Sequence, residues 1–288
     1  MRIADNWQDY CLIDTSDGER LEKWGNISLI RPDPQIIWKR SYLSKEWNSA
    51  DAKYIRSSSG GGHWEYTRDL PESWKIKYKN LTFKVKPTGF KHTGLFPEQA
   101  VNWDYCTELI KNAHRPVKVL NLFAYTGGAT LACAAAGASV CHLDAVKGMV
   151  EWGKENAELS GLKDRPIRWI VDDALKFLNR EIKRGNKYDG IILDPPSYGR
   201  GTNGEMWKLE DCIHELMLKC SLVLSDEPLF ILLNSYTTGL SPSIMAYLLK
   251  MTVGLEFKIE VEAEEIGLPV NNTRLAIPCG NTAIVHFM

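Results

Sequence analysis

No stretch of this 288-residue chain approaches the roughly 20 apolar residues that a membrane-spanning helix needs. The first ten residues, MRIADNWQDY, carry no apolar leader core, so no membrane association and a cytoplasmic location are the expectation. None of the seven cysteines forms a C-x-x-C pair, which implies neither a zinc site nor a disulfide framework. Reduced thiols and no bound metal are expected. No basic run of the kind that marks a nucleic-acid binder by itself is present. Low-complexity tracts and fixed-period repeats are missing too, which excludes a solenoid.

What is there is ordinary in bulk. A hydrophobic content of 44% with 25% charged residues makes a packed core the default over disorder. Charge is unevenly placed: residues 1–92 hold 16 Lys/Arg against 12 Asp/Glu, and the remainder 19 against 24. A basic front could meet a polyanion, and chance unevenness accounts for it equally well.

Residues 1–86 read as a small, mainly β domain. Short β-like runs at 10–13, 27–31 and 35–39 are separated by turn chemistry, and 74–78 with 81–85 reads as a hairpin around Lys79-Asn80. Six of the ten tryptophans fall here, so the expected packing is around aromatics. The run SSSGGG at 57–62 reads as a flexible loop. From residue 117 the pattern changes to strands alternating with helices: strands at 117–123, 139–143, 167–171, 188–193 and 229–233, helices at 129–136, 147–159, 174–184, 210–222 and 241–251. Two further strand-like runs, 256–262 and 282–287, close the chain. The expected class is α/β: a Rossmann-like, doubly wound, mostly parallel sheet with an antiparallel C-terminal strand, over residues 87–288. Ligands of such sheets lie at the carboxyl ends of the strands, beside the switch in strand order.

Four strand ends carry polar chemistry in sequence order. The first is NLFAYTGG at 121–128, in which Gly127 and Gly128 allow a tight turn and close approach to a ligand. That turn is not G-x-G-x-x-G, which argues against a dehydrogenase. Asp144, followed by Ala145, ends the second strand, where a carboxylate can accept from both ribose hydroxyls or cap a helix. Asp172-Asp173-Ala174 ends the third; a carboxylate there can accept from an adenine amino group, or cap the helix that follows. Asp194-Pro195-Pro196-Ser197-Tyr198 ends the fourth. Consecutive prolines fix the backbone and hold the Asp194 side chain and nearby carbonyls as acceptors, and Tyr198 can stack on a flat ring. Such a frame suits a planar base with an exocyclic amine, for which orientation is the main requirement of methyl transfer.

Together these segments resemble the class I S-adenosylmethionine methyltransferases, and NLFAYTGGATLACAAAGASVCHLD with LDPPSYGRG is similar to the large-subunit ribosomal RNA methyltransferases, which include guanine-N7 and cytosine-C5 branches. The resemblance covers residues 88–241. It implies S-adenosylmethionine as cofactor, held by Asn121, Phe123, Ala124, Tyr125, Thr126, Gly127, Asp144, Ala145, Asp172, Asp173, Ala174 and Asp194. The stretch FKHTGLFPEQ at 90–99 resembles the family's K-T-G-x-F segment, which implies cofactor contacts for Lys91, Thr93, Phe96 and Gln99. It further implies RNA, rRNA above all, as substrate, with Asp194, Pro195, Pro196 and Tyr198 at the acceptor and Ser197 and Asn234 as candidate substrate contacts. Arg200, in the loop 199–204 beside them, could meet a phosphate or stack on a base, and a solvated loop arginine accounts for it equally well.

The pattern departs from the cytosine branch. Carbon-5 transfer needs a thiolate that adds to the ring, yet both positions at which the family carries that cysteine lack one: Ser197, and the stretch Leu233-Asn234-Ser235-Tyr236. Cys212 and Cys220 fall on the following helix and read as small buried hydrophobes. A base nitrogen, which has or gains a lone pair, is the preferred acceptor. A cytosine-C5 enzyme, a protein or small-molecule methyltransferase, and a non-catalytic RNA-binding scaffold are the rivals.

Overall fold

The computed structural model describes residues 1–40, 44–57, 61–200, 206–237 and 239–288. By compactness the chain forms two units, one of Ile3–Ala100 with Gly267–Ile277, the other of Met1–Arg2, Val101–Ile266 and Pro278–Met288. Residues 87–100, set with the second half by the sequence, fall in the first unit.

After the two-residue β1 (Arg2–Ile3), the first unit builds a sheet ordered β2 (Tyr10–Ser16), β3 (Glu19–Trp24), β4 (Ile27–Pro32), β5 (Ala52–Arg56) and β6 (Gly62–Tyr66). Its pairs are antiparallel except β4 with β5. The expected hairpin forms as β7 (Trp74–Tyr78) and β8 (Leu81–Val85), with Tyr78 opposite Leu81 and Lys79 at φ +51° in the turn. Trp24, Leu21, Leu29, Ile76 and Phe83 are fully buried, so the aromatic-rich segment does make a core.

The strand expected at 35–39 does not form. Its backbone hydrogen bonds go to the β2–β3 turn instead, with Asp17 N–H donating to the Trp38 carbonyl and Gly18 N–H to that of Ile36. Asp33 accepts the Gln35 N–H and bends the chain after Pro34. β3, β5 and β6 were not legible in the sequence, because charges interrupt their alternation.

Inside this unit Glu22 is fully buried and takes both Nε (2.5 Å) and an Nη (2.7 Å) of Arg31, and also the Tyr10 hydroxyl (2.7 Å). Burial alone would raise the Glu22 pKa, but the Arg31 charge and hydrogen bonds overcome it and hold it below the usual carboxylate range. A lowered carboxylate contributes stability above its unfolded pKa and loses it as pH falls through the folded value. Glu22→Ala strands the Arg31 charge and is expected to cost about 3–5 kcal/mol. Chemical denaturation reads this as a large drop in midpoint at neutral pH; an unchanged midpoint would contradict it.

In the second unit α1 (Ala100–Asn112) leads into β9 (Lys118–Leu122), α2 (Gly128–Ala135), β10 (Ser139–Asp144), α3 (Lys147–Leu159), β11 (Ile167–Val171), α4 (Ala174–Arg184) and β12 (Gly190–Leu193). A short ribbon, β13 (Tyr198–Arg200) with β14 (Met206–Lys208), precedes α5 (Leu209–Leu222), β15 (Phe230–Ser235), α6 (Pro242–Thr252), β16 (Ile259–Val270) and β17 (Leu275–Phe287). Strand order is β11-β10-β9-β12-β15-β17-β16. Five strands are parallel and β17 runs antiparallel to β15, as expected. The chain winds outward from β9 in one direction and then from β12 in the other, so the switch point lies between these two neighbours.

Alternate residues face opposite sides. Leu122, Leu143, Leu193 and Leu233 join a core with α4, α5 and α6, whereas Val119, Val140, Ile192 and Leu232 pack with residues of α1 and α2. The last two strands are longer than the sequence suggested. Their tip, Asn271-Asn272-Thr273-Arg274, donates backbone N–H groups from Asn271 and Asn272 to the Leu12 and Ile13 carbonyls of β2. Among the described residues no helix is long and apolar enough to cross a membrane.

Candidate functional site

Register decides which strand ends lie side by side. Leu122 is opposite both Leu143 and Leu193, and Leu193 is opposite Leu233. The next row along therefore brings together Asp144, Phe123, Asp194 and Asn234, on strands about 4.8 Å apart. By alternation Asp144, Asp194 and Asn234 share the side of Val140, Ile192 and Leu232, the face covered by α1 and α2. Two of the four strand-end motifs, Asp144 and Asp194, thus share one face at the switch point, and the 121–128 turn leaves the strand between them.

The turn after β9 is held in an unusual backbone. Phe123 (φ +57°) and Tyr125 (φ +50°) adopt left-handed conformations despite their side chains, and Gly127 follows at φ +90°. Such strain persists only where the surroundings over-determine it, and it gathers at functional sites. The surroundings are named bonds. Ala124 N–H donates to the Leu143 carbonyl (3.0 Å), Tyr125 N–H to Asp144 Oδ2 (2.9 Å), and Gly127 N–H to the Ala124 carbonyl (3.0 Å). Asn156 of α3 donates to the Thr126 carbonyl (2.9 Å). Beneath the turn, buried Asn121 donates to Thr130 Oγ1 (2.9 Å), which also meets His142 Nδ1 at 2.9 Å. Burial holds the His142 pKa down at about 3, so this imidazole is a neutral prop.

The two glycines serve different ends. Gly127 supplies the left-handed turn, but a Cβ on Gly128 would lie 2.5 Å from the Trp103 ring of α1. Its bareness is therefore filled by Trp103, where the sequence suggested ligand approach for both. Gly128→Ala is expected to cost about 1–3 kcal/mol by overpacking. Thermal unfolding would show this as a fall of several degrees; an unaltered transition would count against the packing role.

Asp144 spends one lone pair of each oxygen on backbone, the N–H of Tyr125 and that of Val146 (2.8 Å). Two acceptor sites remain on an ionised carboxylate. Burial raises its pKa, against the two hydrogen bonds that lower it. A desolvated carboxylate with spare lone pairs at a strand end fits the vicinal hydroxyls of a ribose. Beside it Val171, opposite Asp144 in register, and Val146 are exposed apolar side chains, 48% and 55% respectively, which suit the face of a purine. Sequence reasoning missed both, although an apolar residue beside each acidic strand end was there to be read.

At the third strand end Asp173 accepts the Lys176 N–H (2.9 Å) and so caps α4, while Asp172 pairs with Arg180 and accepts the Asp173 N–H. The capping alternative is realised through Asp173 Oδ1. Ala145 is exposed and Ala174 is buried in the first turn of α4. Lys91, Thr93, Phe96 and Gln99 belong to the first unit. There the Lys91 ammonium donates to the Pro32 carbonyl (3.3 Å), and burial lowers its pKa to about 8. Thr93 is fully buried with no hydrogen-bond partner for its hydroxyl among the described residues, and Gln99 is buried as well.

The Asp194–Tyr198 loop leaves β12 with Pro195 buried and Pro196 exposed. Two of its carbonyls are committed, that of Pro196 to Trp207 Nε1 (2.7 Å) and that of Ser197 to the Leu209 N–H (3.1 Å). Among the described residues no hydrogen bond occupies the Pro195 carbonyl, which lies beside Asp194. Tyr198 is 62% exposed, open to stacking. Ser197 Oγ meets Thr237 Oγ1 at 2.5 Å, and Asn234 is buried, accepting from Asn102 of α1 (3.0 Å). The Arg200 side chain and residues 201–204 lie outside the described residues.

No thiol joins this row. Cys220 is buried on α5 with its pKa pushed well up, and Cys212 is on the same helix. Cys279 of β17 lies past Asn281, the partner of Ser235, but alternation turns it to the side of Ala283 and Val285, away from Asp194.

A family model described as S-adenosylmethionine-dependent methyltransferase matches residues 51–229. The chain is 36% identical to a SAM-dependent methyltransferase of Agrobacterium tumefaciens, over 99% of this chain and 92% of that one, with a TM-score of 0.91. It is 38% identical over 147 residues to ribosomal RNA large subunit methyltransferase K/L of Pseudoalteromonas atlantica, which is 51% of this chain but 20% of that protein's length. A tRNA (uracil-54, C5)-methyltransferase of Pyrococcus abyssi, solved with S-adenosyl-L-homocysteine, shares the fold at 14% identity and a TM-score of 0.52, covering 95% of this chain and 60% of that one.

Proposed function

Since the chain belongs to the S-adenosylmethionine-dependent methyltransferase family, we propose that it moves the methyl group of that cofactor to a nitrogen of a base in RNA, with ribosomal RNA the preferred substrate. The observation that carries this reading is Asp194 with the Pro195 carbonyl, set one strand from the 121–128 turn on the same face as Asp144. The cofactor supplies an electrophilic methyl group on a sulfonium. Asp144 holds its ribose hydroxyls, and the strained turn lays its backbone beside the cofactor. Asp194 and the Pro195 carbonyl accept the two N–H groups of an exocyclic amine, leaving its lone pair to attack the methyl carbon. The C–S bond of the sulfonium would break as N–C forms, and the proton the nitrogen releases would pass to Asp194. Tyr198 covers the ring. Placement of this kind is what an in-line transfer between two bound groups needs.

A base in folded RNA must be unpaired or flipped to enter such a loop. The first unit, with exposed Trp38, Tyr66 and Phe90 on a chain segment of net positive charge, suits stacking and phosphate contact with that RNA. A cytoplasmic location is part of the same proposal. The test offers labelled cofactor to RNA, protein and small-molecule fractions of cells lacking this protein, at two salt concentrations. Label is expected in RNA, with uptake falling steeply as salt rises through counterion release. Label confined to protein or small molecules would overturn the RNA assignment.

A further inference from the structure

Trp207 touches the two loops between which the methyl group must pass. Its indole N–H donates to the Pro196 carbonyl at 2.7 Å, and its ring lies 5.3 Å from that of Phe123, inclined by 51°. Phe123 is the first residue after β9, within the 121–128 turn, and holds its strained φ of +57°. Pro196 directly follows the Pro195 carbonyl. One side chain therefore spans from the donor turn to the acceptor loop. The ribbon delivers it there: Gly199 is opposite Trp207 and Tyr198 opposite Lys208, which sets Trp207 beside the segment that follows the prolines. The Ser197 carbonyl accepts from Leu209, and the Ser197 hydroxyl from or to Thr237, so the far side of the loop is tied down as well.

We propose that Trp207 is a positioning residue for methyl transfer, fixing the Asp194-Pro195 acceptor pair at its working distance from the cofactor turn through Phe123. This rests on the assignment of residues 194–198 to the acceptor. A tryptophan is suited to the task because a rigid ring packs on Phe123 while its edge N–H reaches a carbonyl, and phenylalanine supplies only the first of these. The reacting atoms must meet at about 3–3.5 Å, and a misplacement of about 1 Å can cost 100-fold in rate. The indole does not touch the reacting atoms. Its loss should appear in kcat, with cofactor affinity and the KM for RNA little changed.

Trp207→Phe and Trp207→Ala are compared with the full-length protein in calorimetry with S-adenosylmethionine, in methyl transfer to RNA, and in hydrogen exchange. Trp207→Phe is expected to bind cofactor and RNA within about twofold of wild type but to turn over about tenfold more slowly. Trp207→Ala is expected to be about 100-fold slower, with amides of both 121–128 and 194–199 exchanging faster together. Wild-type turnover in Trp207→Phe, or a rate loss fully matched by lost cofactor affinity, overturns the positioning role. Should the wild-type protein methylate no RNA, the functional reading fails by itself. The clamp is then judged by exchange alone: coupled deprotection of the two segments supports it, and independent behaviour overturns it.

Discussion

Asp194→Ala is expected to slow methyl transfer by about 1,000-fold while S-adenosylmethionine still binds within about threefold of wild type. The size follows from the role proposed for the carboxylate, that of accepting a hydrogen of the reacting nitrogen, because groups that manage a proton in the transition state contribute on the order of 100- to 10,000-fold. Cofactor affinity should survive because the 121–128 turn and Asp144 are built from their own bonds: Leu143 to Ala124, Asp144 to Tyr125 and Val146, Asn156 to Thr126. Asp194→Asn keeps an acceptor oxygen and the volume but loses the charge, and should fall between the two. Single-turnover transfer with calorimetry on the same samples checks the split. If Asp194→Ala loses binding and rate in equal measure, Asp194 belongs to the cofactor alone.

The second large effect is at Asp144. Charge-assisted hydrogen bonds from two ribose hydroxyls are worth about 1.5–3 kcal/mol each at best. Asp144→Ala also leaves the Tyr125 and Val146 N–H groups without their acceptor. A 100-fold weaker affinity for S-adenosylmethionine is the expected outcome, or about 2.7 kcal/mol. The pH dependence carries a definite sign. Burial has raised the Asp144 pKa, and the ribose hydroxyls of the proposed cofactor contact would bond best to the ionised form. Cofactor binding thus favours loss of the proton, so affinity is flat above that pKa and declines as pH falls through it. Titration calorimetry across the acid range should show this decline in the wild type and its absence in Asp144→Asn. The same acid decline in the asparagine variant would move the effect to another group.

Much of this site was legible because parallel strands end in one row. Asp144, Asp194 and the 121–128 turn are each short and ambiguous, but alternating β and α segments oblige their strand ends to share an edge. What the sequence left open is what each polar group does besides face a ligand. Asp173 looked the same as Asp144 on paper, yet its first oxygen caps α4, whereas Asp144 Oδ2 braces the turn after β9 and Oδ1 takes the Val146 N–H of its own segment. Gly128 looked like a ligand-approach glycine, and only the fold brings Trp103 of α1 against it. α1 itself was passed over because its apolar residues are interrupted by Asn102, Asp104 and Glu108. Trp207 was invisible for a plainer reason: its partners are Phe123 and Pro196, the first 84 residues away in the chain, and no spacing rule connects them. In the first unit the run at 35–39 has strand composition, but its hydrogen bonds are claimed by a turn.

The most direct measurement is nucleoside mass spectrometry of RNA from cells lacking this protein, after treatment with the purified enzyme and S-adenosylmethionine carrying a labelled methyl group. The account predicts one labelled nucleoside with the methyl group on a base nitrogen, formed by the wild type and lost in Asp194→Ala. A labelled 5-methylcytidine, or no labelled nucleoside in RNA that the wild type has been shown to bind, would contradict it.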